Sequence, residues 1–173
     1  RIDSDLLYDR LMNTFKWGNM NDPNVYIDYT IDRTTKILKI RRNFSRLAIV
    51  LAREDKKDKA IEVMERAEEL MPYEIFIPGY FDVDFSDGWY AAGDSIRGDQ
   101  VLYEIAKITQ QELDFYFSLP ERLFYTKADM ETQMAIETLR RTISHAIRKD
   151  REQVYIDLEA EFTKYMEMYE SKF

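Results

Sequence analysis

The stretch FSRLAIVLAREDKKDKAIEVMERAEELMP, residues 44–72, carries the pattern from which the rest of the chain can be read. Phe44, Leu47, Ala48 and Leu51 recur at the three- and four-residue intervals of one helical face. Glu54-Asp55-Lys56 interrupts that pattern. Ala60, Val63, Met64, Ala67 and Leu70 then resume it as far as Pro72, which cannot continue a helix. Two helices joined by so short a polar break fold back on each other. The sizes of the side chains say how: large residues on the first helix fill space against the second, while Ala48, Ala60 and Ala67 let the backbones approach closely.

The same reading extends outward. The first helix of the pair is expected to begin near Tyr29, with Ile31 and Leu38 on its stripe. A shorter helix over residues 5–17 carries Leu6, Leu7, Leu11, Met12 and Phe15 on one face and ends at Gly18. Residues 18–24, GNMNDPN, are turn chemistry. Downstream, residues 73–80 read as an irregular connection. Phe81, Phe85, Trp89 and Ala92 then form a second stripe, and Gly93-Asp94 turns the chain. Val101, Ile105 and Ile108 start a helix that runs to about Leu119, before Pro120. Two more helices, 121–148 and 151–170, set Leu139, Ile143 and Ala146 against Val154, Leu158, Phe162 and Tyr165.

Phe44, Leu47, Ala48, Leu51, Ala60, Met64, Ala67 and Pro72 together resemble the spacing of a tetratricopeptide repeat. A poorer copy follows 38 residues later, with Phe85, Ser86 and Trp89, Gly93 at the turn, Gly98 in the slot of Ala60 and Leu102 in that of Met64. The last two helices read as a third degenerate hairpin or as the cap that stacked repeats require. The expectation is an all-α, tetratricopeptide-like α-solenoid of about three helical hairpins with an N-terminal helix. It forms one domain over 1–173, divided into 1–28, 29–72, 79–119 and 121–173.

Composition narrows the function classes. The 173 residues are 45% hydrophobic and contain no cysteine, so thiolate metal sites, iron–sulfur clusters and cysteine nucleophiles are excluded. The net charge of −8 argues against a nucleic-acid partner. The longest apolar run is Leu47 to Ala52, far short of the ~20 residues of a membrane helix, so direct membrane insertion is not expected. A chain that opens at Arg1 is expected to be a piece of a longer or processed protein.

A wider resemblance rests on Tyr8-Asp9-x2-Met12-Asn13-x-Phe15-Lys16-Trp17-Gly18-x-Met20-x-Asp22-Pro23-x-Val25-Tyr26, on Asn43-Phe44-x-Arg46-Leu47-Ala48 and on Phe115-Tyr116-Phe117-Ser118-Leu119-Pro120. These residues are similar to the carboxy-terminal part of large Bacteroidetes membrane proteins. The amino-terminal multi-spanning domain of those proteins, of unknown function, is similar to protein O-mannosyltransferases. The resemblance implies the soluble tail of an inner-membrane glycosyltransferase-like protein, facing the periplasm. It carries over no catalytic residue, because the carboxylates of such an enzyme would lie in the membrane half.

For this segment no enzyme activity, cofactor or metal is expected. His145, the single histidine, has no second histidine for a metal pair or a partner for a triad, and reads as structural. Asp82, Asp84 and Asp87 miss the calcium-loop code, which needs glycine at its sixth place and glutamate at its twelfth. The sharper signal is charge: between Arg33 and Arg53 stand seven basic residues (Arg33, Lys36, Lys39, Arg41, Arg42, Arg46, Arg53) and no acidic one. Arg42, Arg46, Ile49 and Arg53 share one helical face, and the resemblance to tetratricopeptide arrays, in which that face lines the concave groove, implies a site for an acidic peptide, a carboxylate terminus or an anionic headgroup. The alternative is a solvated stripe balanced by Glu62, Glu65 and Glu69. The aromatics of residues 73–90 read chiefly as core, with Phe81, Phe85 and Trp89 on one face, while Tyr80, Trp89 and Tyr90 form a possible platform for stacking on sugars. The leading expectation is a protein- or peptide-binding scaffold whose partner includes its own membrane domain as a candidate. The others are a carbohydrate-recognising accessory domain and a purely structural packing domain.

Overall fold

The computed structural model describes residues 2–28 and 36–172. These are all-α, with no strand among them. They gather into two compact units. One comprises the described residues up to Ile77 with Asp84–Gly98; the other comprises Pro78–Val83 with the described residues from Asp99 onward. The division runs through the second expected repeat, 79–119.

In the first unit, α1 (Ser4–Asp9) starts where the Asp3 carboxylate accepts the Leu6 amide at 3.0 Å, an N-cap that satisfies an otherwise orphaned donor. A π-helical turn, Arg10–Thr14, follows. This wider turn breaks the 3.6-residue period, so the expected stripe does not form one buried face. Leu11 is buried, whereas Leu6 and Phe15 are exposed. Polar contacts hold α1 in place. Ser4 donates to Glu54 at 2.6 Å, Tyr8 donates to Glu62 at 2.6 Å, and Lys56 pairs with Asp5 at 3.0 Å.

The hairpin of α2 (Ile37–Arg53) and α3 (Lys57–Leu70) follows the expected pattern. Phe44, Leu47, Ala48, Leu51, Ala60, Val63, Met64 and Ala67 are all buried. The expected start of α2 near residue 29, with Ile31 and Arg33, lies outside the described residues. The short helix α4 (Ser86–Ala92) packs on both α2 and α3. Gly88 makes that approach possible, since a Cβ there would stand 2.3 Å from Met64 Sδ and 3.1 Å from Ser45 Cα. The connection after α3 is fastened by Arg41, a buried residue whose guanidinium donates to the Met71 carbonyl at 3.0 Å and the Phe76 carbonyl at 2.6 Å. Its charge also lies 5.1 Å from the centre of the Tyr73 ring.

Phe81 departs from expectation. A 3₁₀ turn over Tyr80–Phe85 precedes α4, and its three-residue period replaces the four-residue step on which the Phe81–Phe85–Trp89 stripe depended. Phe85 and Trp89 are buried in the first unit, while Phe81 belongs to the second and is 62% exposed; Val83 is buried instead.

The chain continues through α5 (Ser95–Ser118), a short α6 (Glu121–Leu123), a π-helical turn (Phe124–Ala128), α7 (Asp129–Arg148) and α8 (Glu152–Glu170). In the second unit α7 packs on α8; Leu139, Ile143 and Ala146 are buried on the first, and on the second Val154, Leu158 and Tyr165 are buried and Phe162 is half-buried. The Phe117 ring lies parallel to those of Phe124, at 5.8 Å, and Tyr165, at 6.2 Å. Thr109, Thr132, Thr138 and Thr142 are buried, and each returns its hydroxyl to the carbonyl four residues back, so none needs a partner on another helix.

Three helix-to-helix turns share one design. Asp55 (φ 62°), Gly93 (φ 98°) and Asp150 (φ 54°) each take the left-handed conformation. The next amide reaches back five residues, from Lys56 to Leu51, Asp94 to Trp89 and Arg151 to Ala146, at 2.9, 3.0 and 2.9 Å. The carbonyl of that same residue then accepts the amide of Ala60, Gly98 or Tyr155, at 3.1 Å in every case, which starts the following helix.

Candidate functional site

The buried face of α2 carries Ile37, Arg41, Phe44, Ser45, Leu47, Ala48 and Leu51. At about 100° per residue, Arg42, Arg46, Ile49 and Arg53 fall on the opposite face, within about 80° of arc once Lys39 is added. The three arginines and Lys39 are exposed, and Ile49 is half-buried. None of these four cations makes a hydrogen bond or an ion pair with a described residue. Of the three remaining basic residues in the run, Arg41 is withdrawn into the first unit, Lys36 is exposed at the start of α2, and Arg33 lies outside the described residues. Lys39 was absent from the expected site, although its spacing from Arg42 was present in the sequence.

The acids expected to balance the stripe are engaged elsewhere. Glu62 accepts the Tyr8 hydroxyl, Glu65 pairs with Arg97 at 2.9 Å and Glu69 with Arg66 at 2.6 Å. The Glu62 bond holds the Tyr8 phenol up to about 12. These glutamates border a cavity of about 440 Å³ that Tyr8, Met12, Asn13 and Arg66 complete. Within that lining Arg66 pairs with Glu69, while Glu65 pairs with Arg97 outside it and Glu62 accepts a neutral hydroxyl, so the cavity is acidic where the line on α2 is basic.

Of the aromatic candidates, Trp89 is closed to solvent. Its indole N–H donates to Glu68 at 2.9 Å and the Arg97 guanidinium covers its ring at 4.3 Å. A sugar cannot stack on it in this conformation. The Tyr90 ring packs against Gly98, where a Cβ would stand 2.3 Å from Tyr90 Cε1, the close approach that a small residue in the slot of Ala60 permits. Tyr80, in the second unit, lies beneath Arg141, with 4.5 Å from guanidinium carbon to ring centre. Burial pushes the Glu68 carboxyl above its ordinary range, countered in part by the Trp89 N–H and the Arg97 charge.

Asp82 accepts the Gly79 amide at 3.0 Å, and the Asp84 carbonyl accepts the Ser45 hydroxyl at 3.3 Å. Among the described residues no group of three acidic or histidine side chains is placed to hold a metal ion. His145 is buried, with its Nδ1 3.0 Å from an Arg148 nitrogen. No described helix is long and apolar enough to cross a membrane. No family model matches the chain, and no curated protein or solved structure matches it either.

Proposed function

We propose that the chain is a non-catalytic, tetratricopeptide-like interaction module that binds an anionic polypeptide along α2. The observation that carries this reading is the line Lys39, Arg42, Arg46 and Arg53, exposed and without an ion-pair partner among the described residues of a chain whose net charge is −8. Guanidinium groups held out from a rigid helix match carboxylates in two-pronged geometry, which suits recognition rather than catalysis. The repeat part of the reading draws support from the common turn at Asp55, Gly93 and Asp150 and from the small residues Ala60 and Gly98 at matching positions.

Titrating polyglutamate onto the full chain by calorimetry tests it. The unaltered chain is expected to bind with an affinity that falls steeply with salt, and the Arg42→Glu/Arg46→Glu double variant to lose that binding. Equal binding by both overturns the reading. The setting proposed with it is the periplasmic tail of a membrane glycosyltransferase-like protein. An immunoblot of fractionated native cells, with protease added before and after spheroplasting, tests that setting. A large membrane band cut only in spheroplasts is expected, and a soluble band at 20.8 kDa overturns it.

A further inference from the structure

The exposed side of α8 carries an acidic counterpart to the line on α2. The buried residues of α8 are Val154, Leu158 and Tyr165. At about 100° per residue, Glu152, Ile156, Glu159, Thr163, Glu167 and Glu170 fall opposite them within about 80° of arc, and all are exposed. Steps of three and four residues belong to any helix face; residue type is what sets these two apart. α2 contains Lys39, Arg41, Arg42, Arg46 and Arg53 and no acid. α8 contains a single base, Lys164, which lies off the line and pairs with Glu161 at 3.4 Å. The side chains of Glu152, Glu167 and Glu170 make no hydrogen bond or ion pair with a described residue, and Glu159 accepts a neutral group, the Tyr155 hydroxyl. The acidic line is therefore as unneutralised as the basic one.

Each line also holds one isoleucine: Ile49 is half-buried and Ile156 is 52% exposed. Laid antiparallel with Ile49 on Ile156, the two helices bring Arg53 to Glu152, Arg46 to Glu159 and Arg42 to Thr163, with Lys39 beside Glu167. Laid parallel on the same isoleucines, they bring Arg42 to Lys149 and Arg46 to Gln153. Opposite charges thus coincide with the apolar match in one direction only.

Both lines are exposed in the single chain, so a second molecule can reach either, and every further copy brings the complement of each. The net charge of −8 makes two copies repel in general, which favours approach where the basic line of one meets acid on the other. Resting on the reading that α2 binds an anionic polypeptide, we infer that this polypeptide is α8 of a second copy of the chain, laid antiparallel along α2 with Ile156 on Ile49. Exposed ion pairs are weak singly and are screened by salt, so the association is modest and strongest at low ionic strength.

Sedimentation velocity of the full 173-residue chain tests this. The unaltered chain is expected to self-associate at low salt and to dissociate as salt or polyglutamate is added. Arg46→Glu and Glu159→Arg should each weaken self-association at least about tenfold, equivalent to about 1.4 kcal/mol. A mixture of these two variants should associate, since one supplies an intact α8 and the other an intact α2. Both exchanges in one chain should restore self-association, and Ile156→Asp should weaken it. Glu159→Arg leaves the α2 line untouched and should still bind polyglutamate. A chain that stays monomeric at every concentration yet binds polyglutamate overturns the α8 pairing and leaves the anionic-polypeptide reading standing. Self-association that neither charge exchange weakens overturns the pairing too. A chain that neither self-associates nor binds polyglutamate overturns both.

Discussion

Asp55 and Asp150 occupy the same place in two copies of one turn. Each is left-handed, each follows the last residues of a helix, and each is succeeded by a basic residue that closes the old helix with its amide and opens the next with its carbonyl. Gly93 fills that place in the copy between them. Glycine enters the left-handed region freely, whereas a residue with a Cβ does so at a cost of about 1–2 kcal/mol, less for Asp. Asp55→Gly and Asp150→Gly are therefore expected to stabilise the chain by roughly 0.5–1 kcal/mol each, and Gly93→Ala to destabilise it by about 1 kcal/mol or more. Urea unfolding of the three variants measures this; destabilisation by both aspartate replacements refutes the shared-turn account.

Gly98 makes a different demand. Its φ is ordinary, and what excludes a side chain is the Tyr90 ring. Gly98→Ala should cost about 1–3 kcal/mol by overpacking, and Tyr90→Leu in the same chain should recover much of the loss. A double-mutant cycle in denaturant reads the coupling, and additive effects would contradict it.

Arg41 and Arg42 are neighbours with opposite duties. Arg41→Ala strands two buried carbonyls, those of Met71 and Phe76, and is expected to cost about 2–4 kcal/mol. Arg42→Ala removes an exposed side chain that makes no hydrogen bond or ion pair with a described residue and should stay within about 0.5 kcal/mol. Equal costs in a chemical denaturation series would show that the buried arginine has been misassigned.

Glu68 should confer a pH dependence that Trp89 reports. Its carboxyl is raised above the ordinary 4.5, so the folded chain holds that proton more tightly than the unfolded one does. Its contribution favours folding below 4.5 and is lost as the pH rises through the folded value. The charged groups near it are Arg97, Glu65 and Asp94. In a Trp17→Phe background, Trp89 emission is expected to titrate above pH 4.5, and Glu68→Gln should flatten that transition while keeping an acceptor for the indole N–H. A transition unchanged by Glu68→Gln would assign it to another group.

The first hairpin was legible because size and spacing agree in it. Phe44 and Leu47 against Ala60 and Ala67 leave a single way to pack, and Pro72 marks where to stop. The α7–α8 pair was legible through Leu139, Ala146, Val154 and Leu158 for the same reason. Phe81 was not, because a stripe written for an α-helix cannot reveal that the Asp82 carboxylate caps a 3₁₀ turn and sends the ring outward. Leu6 and Phe15 failed likewise at a π-helical turn. At the site, sequence placed Arg42, Arg46, Ile49 and Arg53 on one exposed face but could not foresee that Glu62, Glu65 and Glu69 are spent elsewhere. Nor does residue type say that Trp89 is sealed beneath Arg97, since a tryptophan suits a sugar platform and a core equally well.

The way α1 is attached has a consequence of its own. Ser4 is its only buried residue, and Glu54, Lys56 and Glu62 hold it by hydrogen bonds and charge rather than by apolar area. Such contacts weaken as ions screen them and contribute little to the cooperative unfolding of the hairpin beneath. The N-terminal helix therefore behaves as a latch: hydrogen exchange should find it opening at a small fraction of the free energy that holds α2 and α3. Rising ionic strength should lift it first, freeing the exposed carboxylates of Glu54 and Glu62 from Ser4 and Tyr8 while the basic line on α2 keeps its shape.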